Sequence, residues 1–314
     1  MLKPLHAPLL GIPLLLAACD LAAEDSEPST QAVITQVMSV GARPESVTRA
    51  WGDKLYVSVQ GPTNGPGDGE VRVIVDGAAQ PFVAGLDEPK GLAFAGGYLM
   101  VTDINRVWIM DEAGNKRVLA DASAFPFPIA FLNDAAPERS GEAVFVTEMG
   151  GRTKIRDASG LLLPIDSPLV AEIPVTSRIF RVSLDGVVTV AAAPSPETLI
   201  VNGVAMAKLG DRLLAADFFY GNVTEVKLDT DEKRIIATGF RGADGIEQDS
   251  KGNIYVSSFE QGTVWKMDRD GGNVKVLVTG FAPKSTADFF LNDKGDELVV
   301  PSTIDGTLTF ITAN

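Results

Sequence analysis

The sequence has only one cysteine and one histidine among its 314 residues. A single cysteine cannot form a disulfide within the chain, so the fold has to be stabilised by its core alone. The histidine is His6, which lies in an apolar leader segment. Without it the chain has no base for Ser-His-Asp or Cys-His catalysis and no imidazole ligand for zinc. Those classes of enzyme are excluded.

Positive charge is also scarce. The chain has 27 Lys and Arg against 41 Asp and Glu, a net charge of -14. Removal of residues 1–18 would also take away Lys3, which leaves 26 minus 41, or -15. Because nucleic-acid binding needs a basic face, we expect no nucleic-acid partner.

The N-terminus has an apolar run that is too short to span a bilayer. Met1–Lys3 gives a weakly positive start, and Leu9–Leu16 is the apolar stretch. Leu16-Ala17-Ala18-Cys19 resembles a bacterial lipobox, in which the cysteine becomes the lipidated first residue. We therefore predict a lipoprotein signal peptide over residues 1–18 and a membrane anchor through a lipid on Cys19. The alternative is an ordinary secretory signal in which Cys19 stands by chance.

Residues 19–31 are acidic and rich in small side chains, which predicts a flexible tether. With the lipid on Cys19, this segment would hold the rest of the protein at the bacterial cell envelope. The expected location is its periplasmic or extracellular face. The folded domain is predicted to span residues 32–314.

A repeated unit of about 40 residues is clearest between Val201 and Ile246. It begins with a polar residue and a short apolar run, followed by a turn and an apolar strand such as Arg212–Asp217. A third strand led by glycine and an outer strand complete it, as in Gly221–Lys227 and Lys233–Gly239. Four short strands repeated at this period are typical of a β-propeller blade.

Six such units can be counted. Their first polar residues are spaced by 45, 43, 69, 42 and 44 residues. These residues are Glu45, Lys90, Asn133, Asn202, Asp244 and Asp288. The long interval contains an insertion, Gly150 to Thr176, which we expect to cap or narrow the channel mouth. The fold class predicted is therefore all-β, a six-bladed propeller of four-stranded blades.

The last unit shows only three strands, and an unpaired edge would invite aggregation. The β-rich segment Ala32–Met38 is the available fourth strand, so the ring is predicted to close through the N-terminus. Pro301 lies inside one predicted strand of this unit. Because proline cannot donate to a ladder, a bulge is expected there.

The first strand of each propeller blade lies nearest the axis, so the six polar residues should converge. Their carboxylate and amide oxygens are hard ligands that suit Ca²⁺, with Mg²⁺ or another divalent cation as the alternative. The other interpretation is that these side chains only hydrogen-bond one another and water. Lys90 is the exception among them, since its ammonium would either replace a metal or bind an anionic substrate.

The chain resembles the senescence-marker/gluconolactonase group of six-bladed propellers over Ala42 to Thr312. The resemblance rests on the order of axial residues. These lie in Pro44-Glu45-Ser46-Val47, Leu132-Asn133-Asp134-Ala135, Asn202-Gly203-Val204 and Asp244-Gly245-Ile246. It implies that Glu45, Asn202 and Asp244 hold a divalent metal, that Asn133 positions the substrate, and that Asp244 is the catalytic base. Lys90 departs from the family pattern and is assigned to substrate binding.

Two functions follow from these observations. The first is a metal-dependent hydrolase of lactones or related esters acting on a small-molecule substrate at the axis. A metal there would polarise the carbonyl while Asp244 takes a proton from water. The second is a non-catalytic propeller that binds a ligand or a protein, since a fold does not determine function. The acidic axis favours the first, and Lys90 favours the second.

Overall fold

The computed structural model describes Met1 and residues 32–63 and 65–313. By its contacts the chain divides into residues 1–30 and 31–314, and every described strand belongs to the second unit. The predicted signal peptide, Cys19 and the tether lie outside the described residues and stay predictions. Within the described part, no helix is both long and apolar enough to cross a membrane.

The described residues form 24 β-strands and contain no α-helix. Numbered in chain order, the strands are β1 (Val33–Ser39), β2 (Pro44–Arg49), β3 (Leu55–Val59), β4 (Gly69–Val75), β5 (Ala78–Leu86), β6 (Pro89–Ala95), β7 (Tyr98–Asp103), β8 (Arg106–Met110), β9 (Lys116–Ala120), β10 (Leu132–Pro137), β11 (Ala143–Glu148), β12 (Arg178–Ser183), β13 (Val188–Ala192), β14 (Val201–Met206), β15 (Arg212–Asp217), β16 (Val223–Lys227), β17 (Lys233–Ala237), β18 (Ala243–Gln248), β19 (Ile254–Ser258), β20 (Thr263–Met267), β21 (Lys275–Thr279), β22 (Phe290–Leu291), β23 (Glu297–Ser302) and β24 (Thr307–Thr312). Five short 3-10 turns lie between them, at Trp51–Asp53, Ala122–Ala124, Arg152–Lys154, Pro168–Glu172 and Pro196–Thr198.

The strands make six antiparallel sheets of four, which confirms the predicted six-bladed propeller. Five blades use consecutive strands, β2–β5, β6–β9, β10–β13, β14–β17 and β18–β21. The sixth has the order β22, β23, β24, β1. In five blades the first strand in the chain lies at the axis and the fourth at the outer edge. In the sixth blade β22 lies at the axis, and the N-terminal strand β1 forms the outer edge.

The pairing of β1 with β24 closes the ring as predicted. The two strands run antiparallel from Val33 opposite Thr312 to Ser39 opposite Thr307. The backbone amide of Val40 then donates to the carbonyl of Gly306 at 2.9 Å. Without β1, the amides and carbonyls of β24 on that side would be left unpaired.

The core lies between the blades, because each sheet packs its apolar side chains against the next. Trp51 and Trp108 pack into a cluster shared by the first two blades, which includes Val71 and Leu92. Trp265 packs similarly between the fourth and fifth blades. The tryptophans therefore contribute to the packing between blades.

Each inner strand carries a β-bulge near its start. In the fourth blade Val201 lies opposite Asp217 while Val204 lies opposite Ala215, so β14 has one residue more than its partner. The same shift occurs in β2, β6, β10 and β18. A bulge at this point turns the side chains that follow it, which is how these strands direct polar groups into the channel.

In the sixth blade the bulge lies in residues 287–289 of the inner segment. The bulge predicted at Pro301 is therefore wrong. Thr286 bridges Ser302, and Phe290 then pairs with Val299, again with one extra residue on the inner strand. The register of β23 against β24 runs through Pro301 without a shift. Proline is tolerated because the bulge opposite it interrupts the ladder that its missing N–H would have joined.

Candidate active site

All five polar residues assigned to the site from the sequence line one cavity at the end of the channel where the inner strands begin. The cavity has a volume of about 350 Å³. The five residues are Glu45, Lys90, Asn133, Asn202 and Asp244. Each is the second residue of an inner strand, at the start of its bulge.

Close packing of the inner strands depends on the glycine that follows some of these residues. A side chain at Gly203 would clash with the backbone oxygen of Asp244. A side chain at Gly91 would lie 2.6 Å from the backbone of Asp134. The Asn202-Gly203 and Lys90-Gly91 pairs therefore allow neighbouring blades to approach closely enough for their polar side chains to share a site.

The prediction that Asp288 is the axial residue of the sixth blade is wrong by one position. Counted from the paired residue before each bulge, the position of Glu45 and Asn202 corresponds to Ala287 in the sixth blade. Asp288 is level with Ser46 and lines a different cavity, further along the channel. The sixth blade contributes Thr303 to the first cavity.

Asn202 provides the clearest sign of a missing partner. Its side chain is 2% exposed, and its Oδ1 atom has no hydrogen-bond donor within reach. The Asn202 side chain also hydrogen-bonds the Asp244 carboxylate. A buried amide oxygen without a donor costs about 1–3 kcal/mol, so this atom is positioned for a ligand that supplies positive charge or a hydrogen.

The two acidic residues beside Asn202 are held in an environment that disfavours their charge. Burial and then the charges of Glu45 and Asp288 raise the pKa of Asp244 well above its ordinary value. Burial also raises the pKa of Glu45, which Lys90 opposes. Gln60 donates to Glu45 Oε2 at 2.5 Å and fixes that carboxylate. A cation among these oxygens would relieve the repulsion between them.

These donors fit a hard divalent cation. Carboxylate and amide oxygens are the ligands that Ca²⁺ and Mg²⁺ prefer, and one of them, Asn202 Oδ1, is unpartnered. The described residues hold no cluster of three or more His, Cys, Asp or Glu side chains suited to a metal. The candidate set therefore consists of two carboxylates and one amide, Glu45, Asp244 and Asn202.

Lys90 lies beside this set without joining it. Its Nζ is 3.0 Å from Glu88 Oε1 and 3.9 Å from Glu45 Oε2. It also lies 5.3 Å from the centre of the Phe131 ring. Because the contact with Glu88 is the shorter one, Lys90 pairs mainly with Glu88 and offsets the charge of Glu45 only in part.

Asn133 comes from the third blade, between Lys90 of the second blade and Asn202 of the fourth. Its Nδ2 contacts Met149 Sδ at 3.0 Å, which is a weak acceptor, and its backbone carbonyl accepts from Thr102 Oγ1. The amide hydrogens of Asn133 are therefore available to an oxygen atom of a bound molecule.

The sequence analysis missed the residues that the insertion brings to the cavity. Arg152, Ile155 and Arg156 line it, together with Phe131, Phe218 and Phe259 from the propeller loops. The insertion therefore does form part of the channel mouth. The signal available in the sequence was two arginines four residues apart in a segment outside the repeats, and it is a weak one.

Three carboxyl side chains at the ends of second strands accept hydrogen bonds from backbone amides. Asp103 accepts from the amides of Asp87 and Glu88, and Asp217 accepts from Ile200 and Tyr220. Glu148 accepts from the amide of Ala130. Each joins the end of a second strand to the loop that precedes the inner strand.

A second cavity, of about 430 Å³, opens at the other end of the channel. It is lined by Asp134, Glu247 and Asp288 among others. Asp134 accepts from the backbone amides of Ala135 and Val204, both at 2.7 Å. Burial raises the pKa of Asp288 to about 7 and that of Glu247 to about 8. These carboxyls are thus either bonded to the backbone or close to neutral.

Comparison with known proteins gives a family and a fold. The model of the SMP-30/Gluconolactonase/LRE-like region matches residues 68–304. A solved structure assigned as a gluconolactonase from its protein family is 17% identical, covers 90% of this chain and 92% of its own, and has a TM-score of 0.64. A catalytically inactive virginiamycin B lyase from Staphylococcus aureus, solved with quinupristin, is 12% identical, covers 90% of this chain and 100% of its own, and has a TM-score of 0.58. No curated protein sequence matches. At these identities the two structures support the fold alone.

Proposed function

The chain belongs to the SMP-30/gluconolactonase/LRE-like family, and on that basis we propose that it is a metal-dependent hydrolase of lactones or related esters. The observation that carries the proposal is the unpartnered Asn202 Oδ1, buried beside the carboxyls of Asp244 and Glu45. A non-catalytic scaffold has no use for an unsatisfied oxygen beside two acidic groups at its axis.

Asn202, Asp244 and Glu45 would hold the cation, for which Ca²⁺ is the first candidate. When bound, a divalent cation supplies Lewis acidity to the lactone carbonyl and offsets the charge of the two carboxylates. The oxygen-only donor set and the absence of histidine after His6 favour Ca²⁺ over zinc.

The protein's own residues account for the remaining chemistry. Asp244 accepts a proton from the water that attacks the carbonyl carbon, which is the role of a general base. As the ring C–O bond breaks, Asp244 returns this proton to the leaving oxygen as a general acid. Asn133 donates its amide hydrogens to an oxygen of the substrate, and Lys90 interacts with negative charge on it. The rings of Phe131, Phe218 and Phe259 reduce the access of bulk water to the site.

The alternative is a propeller that binds a ligand without catalysis. The contact between Lys90 and Glu45 favours it, because the ammonium partly neutralises the axis without a metal. The likeness to a lyase adds little, since that structure is an inactive variant and the fold alone is shared.

A chelator-sensitive lactonase assay tests the proposal. Purified protein should hydrolyse members of a panel of five- and six-membered sugar lactones, lose that activity after treatment with EDTA, and regain it with Ca²⁺. If no lactone or ester in the panel is hydrolysed in the presence of Ca²⁺, Mg²⁺ or Mn²⁺, the binding propeller is the better account.

We also propose that Cys19 anchors the protein to a membrane of the bacterial cell envelope. The support is the lipobox-like Leu16–Cys19 and the lack of any other cysteine. Mass spectrometry of the membrane-extracted protein should show a chain that begins at a lipidated Cys19. A chain cleaved elsewhere, or an unmodified Cys19, would contradict the anchor.

A further inference from the structure

The insertion places one arginine in the cavity on a well-supported turn. Gly151 has a φ of 82°, and a side chain there would lie 2.8 Å from the carbonyl of Pro174. The 3-10 turn Arg152–Lys154 follows it directly. Ile155 and Ile173 are buried in a cluster on either side, so the backbone of Arg152 is held in place by packing.

Arg152 has an aromatic neighbour but, in the part of the chain that the structure describes, no carboxylate in direct ion-pair contact. The centre of its guanidinium lies 3.8 Å from the centre of the Phe131 ring. Across residues 32–63 and 65–313, its side chain makes no ion pair or hydrogen bond. Burial, and the like charge of Arg156, lower the pKa of Arg152, while Glu88 opposes this. A guanidinium stacked in this way presents its planar edge to the cavity for an incoming oxygen acid.

The other basic side chains of the cavity have an acidic or backbone partner within the protein. Lys90 pairs with Glu88 at 3.0 Å, and Arg156 pairs with Glu260 at 2.5 Å. Arg43 donates to the backbone carbonyl of Gly61 at 2.8 Å. Arg152 therefore differs from its neighbours in having its hydrogen-bonding edge open.

The charge of the cavity wall is opposite in sign to that of the protein. Four basic side chains line it against three acidic ones, although the chain has a net charge of -14. The basic residues are Arg43, Lys90, Arg152 and Arg156, and the acidic ones are Glu45, Glu88 and Asp244. A divalent cation at the axis would make the cavity more positive still. Its field therefore favours an anion at a place where the rest of the protein repels one.

We propose that Arg152 binds a carboxylate of the substrate, and that the preferred substrates are lactones carrying a second, ionised acid group. This inference rests on the proposed lactonase function and names its substrate class. The planar guanidinium fork matches a carboxylate in a bidentate arrangement. The acid group would lie against the insertion while the lactone carbonyl lies toward Asp244 and Asn202.

A binding experiment tests the acid-group site without catalysis. Cyclopentanecarboxylate has a five-membered ring and a carboxylate but no ester bond to hydrolyse, and cyclopentanecarboxamide is a neutral molecule of nearly the same size and shape. By calorimetry, the wild-type protein should bind the carboxylate about tenfold or more tightly than the amide, as expected for a charged hydrogen bond. Equal binding of the two, or binding of neither, would overturn the proposal.

Substitution locates the site. Arg152→Gln should lose the preference for the carboxylate, and Arg152→Lys should retain part of it, because lysine keeps the charge without the fork. Arg178→Gln is the matched control, since Arg178 stacks on Phe127 at 4.3 Å but does not line the cavity. Circular dichroism spectra should show that all three variants are folded. An unchanged preference in Arg152→Gln would contradict the assignment.

Kinetics separate this proposal from the one on which it rests. An aldarolactone and the matching aldonolactone differ by a terminal carboxylate in place of a hydroxymethyl group. Arg152→Gln should raise KM for the aldarolactone and leave the aldonolactone unaffected. If the wild-type protein hydrolyses the aldarolactone and the aldonolactone equally well, the acid-group site is contradicted and the lactonase function is not. If the protein binds cyclopentanecarboxylate but hydrolyses no lactone, the lactonase function is contradicted and the acid-group site is not.

Discussion

Asp244 and Glu247 lie three residues apart on β18, yet they line cavities at opposite ends of the channel. Burial raises the pKa of both carboxyls. Their neighbours differ. Asp244 lies beside an unpartnered amide oxygen and an acidic residue, Glu45, whereas the other end has Asp134, which is bonded to backbone amides.

We interpret this difference as one between the ligand site proposed at the Asp244 end and carboxyls that connect neighbouring blades at the other end. Asp134 bridges from the third blade to the backbone of Val204 in the fourth, and Asp288 accepts from Ser46 in the first. Both carboxyl oxygens of Asp134 and one of Asp288 therefore have a hydrogen-bond donor within the protein. At the Asp244 end, polar atoms stay open, and the insertion adds positive charge around them.

The largest effect is expected from Asp244→Asn. The variant keeps an oxygen near the metal but removes the proton acceptor, so the rate of lactone hydrolysis should fall by about 10²- to 10⁴-fold at saturating Ca²⁺. Glu247→Gln is the control, because it neutralises a buried carboxyl on the same strand and should keep the wild-type rate. Equal losses in both variants would mean that the two ends do not differ in role.

The next effect is on metal affinity. Asn202→Ala removes a neutral oxygen ligand and should weaken Ca²⁺ binding by about tenfold or more, while excess Ca²⁺ restores part of the activity. Asn222→Ala serves as the control on the same blade, since Asn222 is also buried and donates to the carbonyl of Glu197. Calorimetry with Ca²⁺ measures both. Unchanged affinity in Asn202→Ala would remove Asn202 from the metal site.

Glu247 should affect stability instead of activity. Its folded-state pKa of about 8 lies above that of an unfolded chain, so the folded state holds a proton that unfolding releases. The stabilisation is present at low pH and is lost as pH rises toward 8, by at most about 1.4 kcal/mol per pH unit.

Glu247→Gln should remove that dependence. Thermal unfolding of both proteins should therefore show the variant gaining relative to the wild type between about pH 5 and about pH 8. A parallel pH dependence in the two proteins would mean that Glu247 is ionised in the folded state.

The smallest effect is expected from Lys90→Met. The substitution removes a cation 3.9 Å from Glu45 but leaves Glu88 without its partner, so Ca²⁺ binding should be retained or slightly tightened. Lys116→Met is the control, because Lys116 also packs over an aromatic ring, at 4.8 Å from Trp108, away from the cavity. Loss of Ca²⁺ binding in Lys90→Met alone would show that Lys90 supports the site.

The repeat period was enough to predict the six blades and the closing strand, because both follow from counting strands. The five site residues predicted from the sequence do line one cavity. They could be identified because each lies near the start of an inner strand in a similar local sequence. Asp288 was misplaced because the equivalent position of the sixth blade is an alanine, Ala287, so the first polar residue of that unit comes one position later. Arg152 was missed because the insertion has no repeat to align it with, and its position depends on packing against Phe131.

Calcium titration of chelator-treated protein is the most direct test of the claim that the Asp244 end of the channel is the metal-binding catalytic end. We predict that the wild-type protein binds Ca²⁺, that Glu45→Gln and Asn202→Ala weaken the binding, and that Glu247→Gln leaves it unchanged. No binding by the wild-type protein, or a loss of binding in Glu247→Gln with none in Glu45→Gln, would contradict that claim.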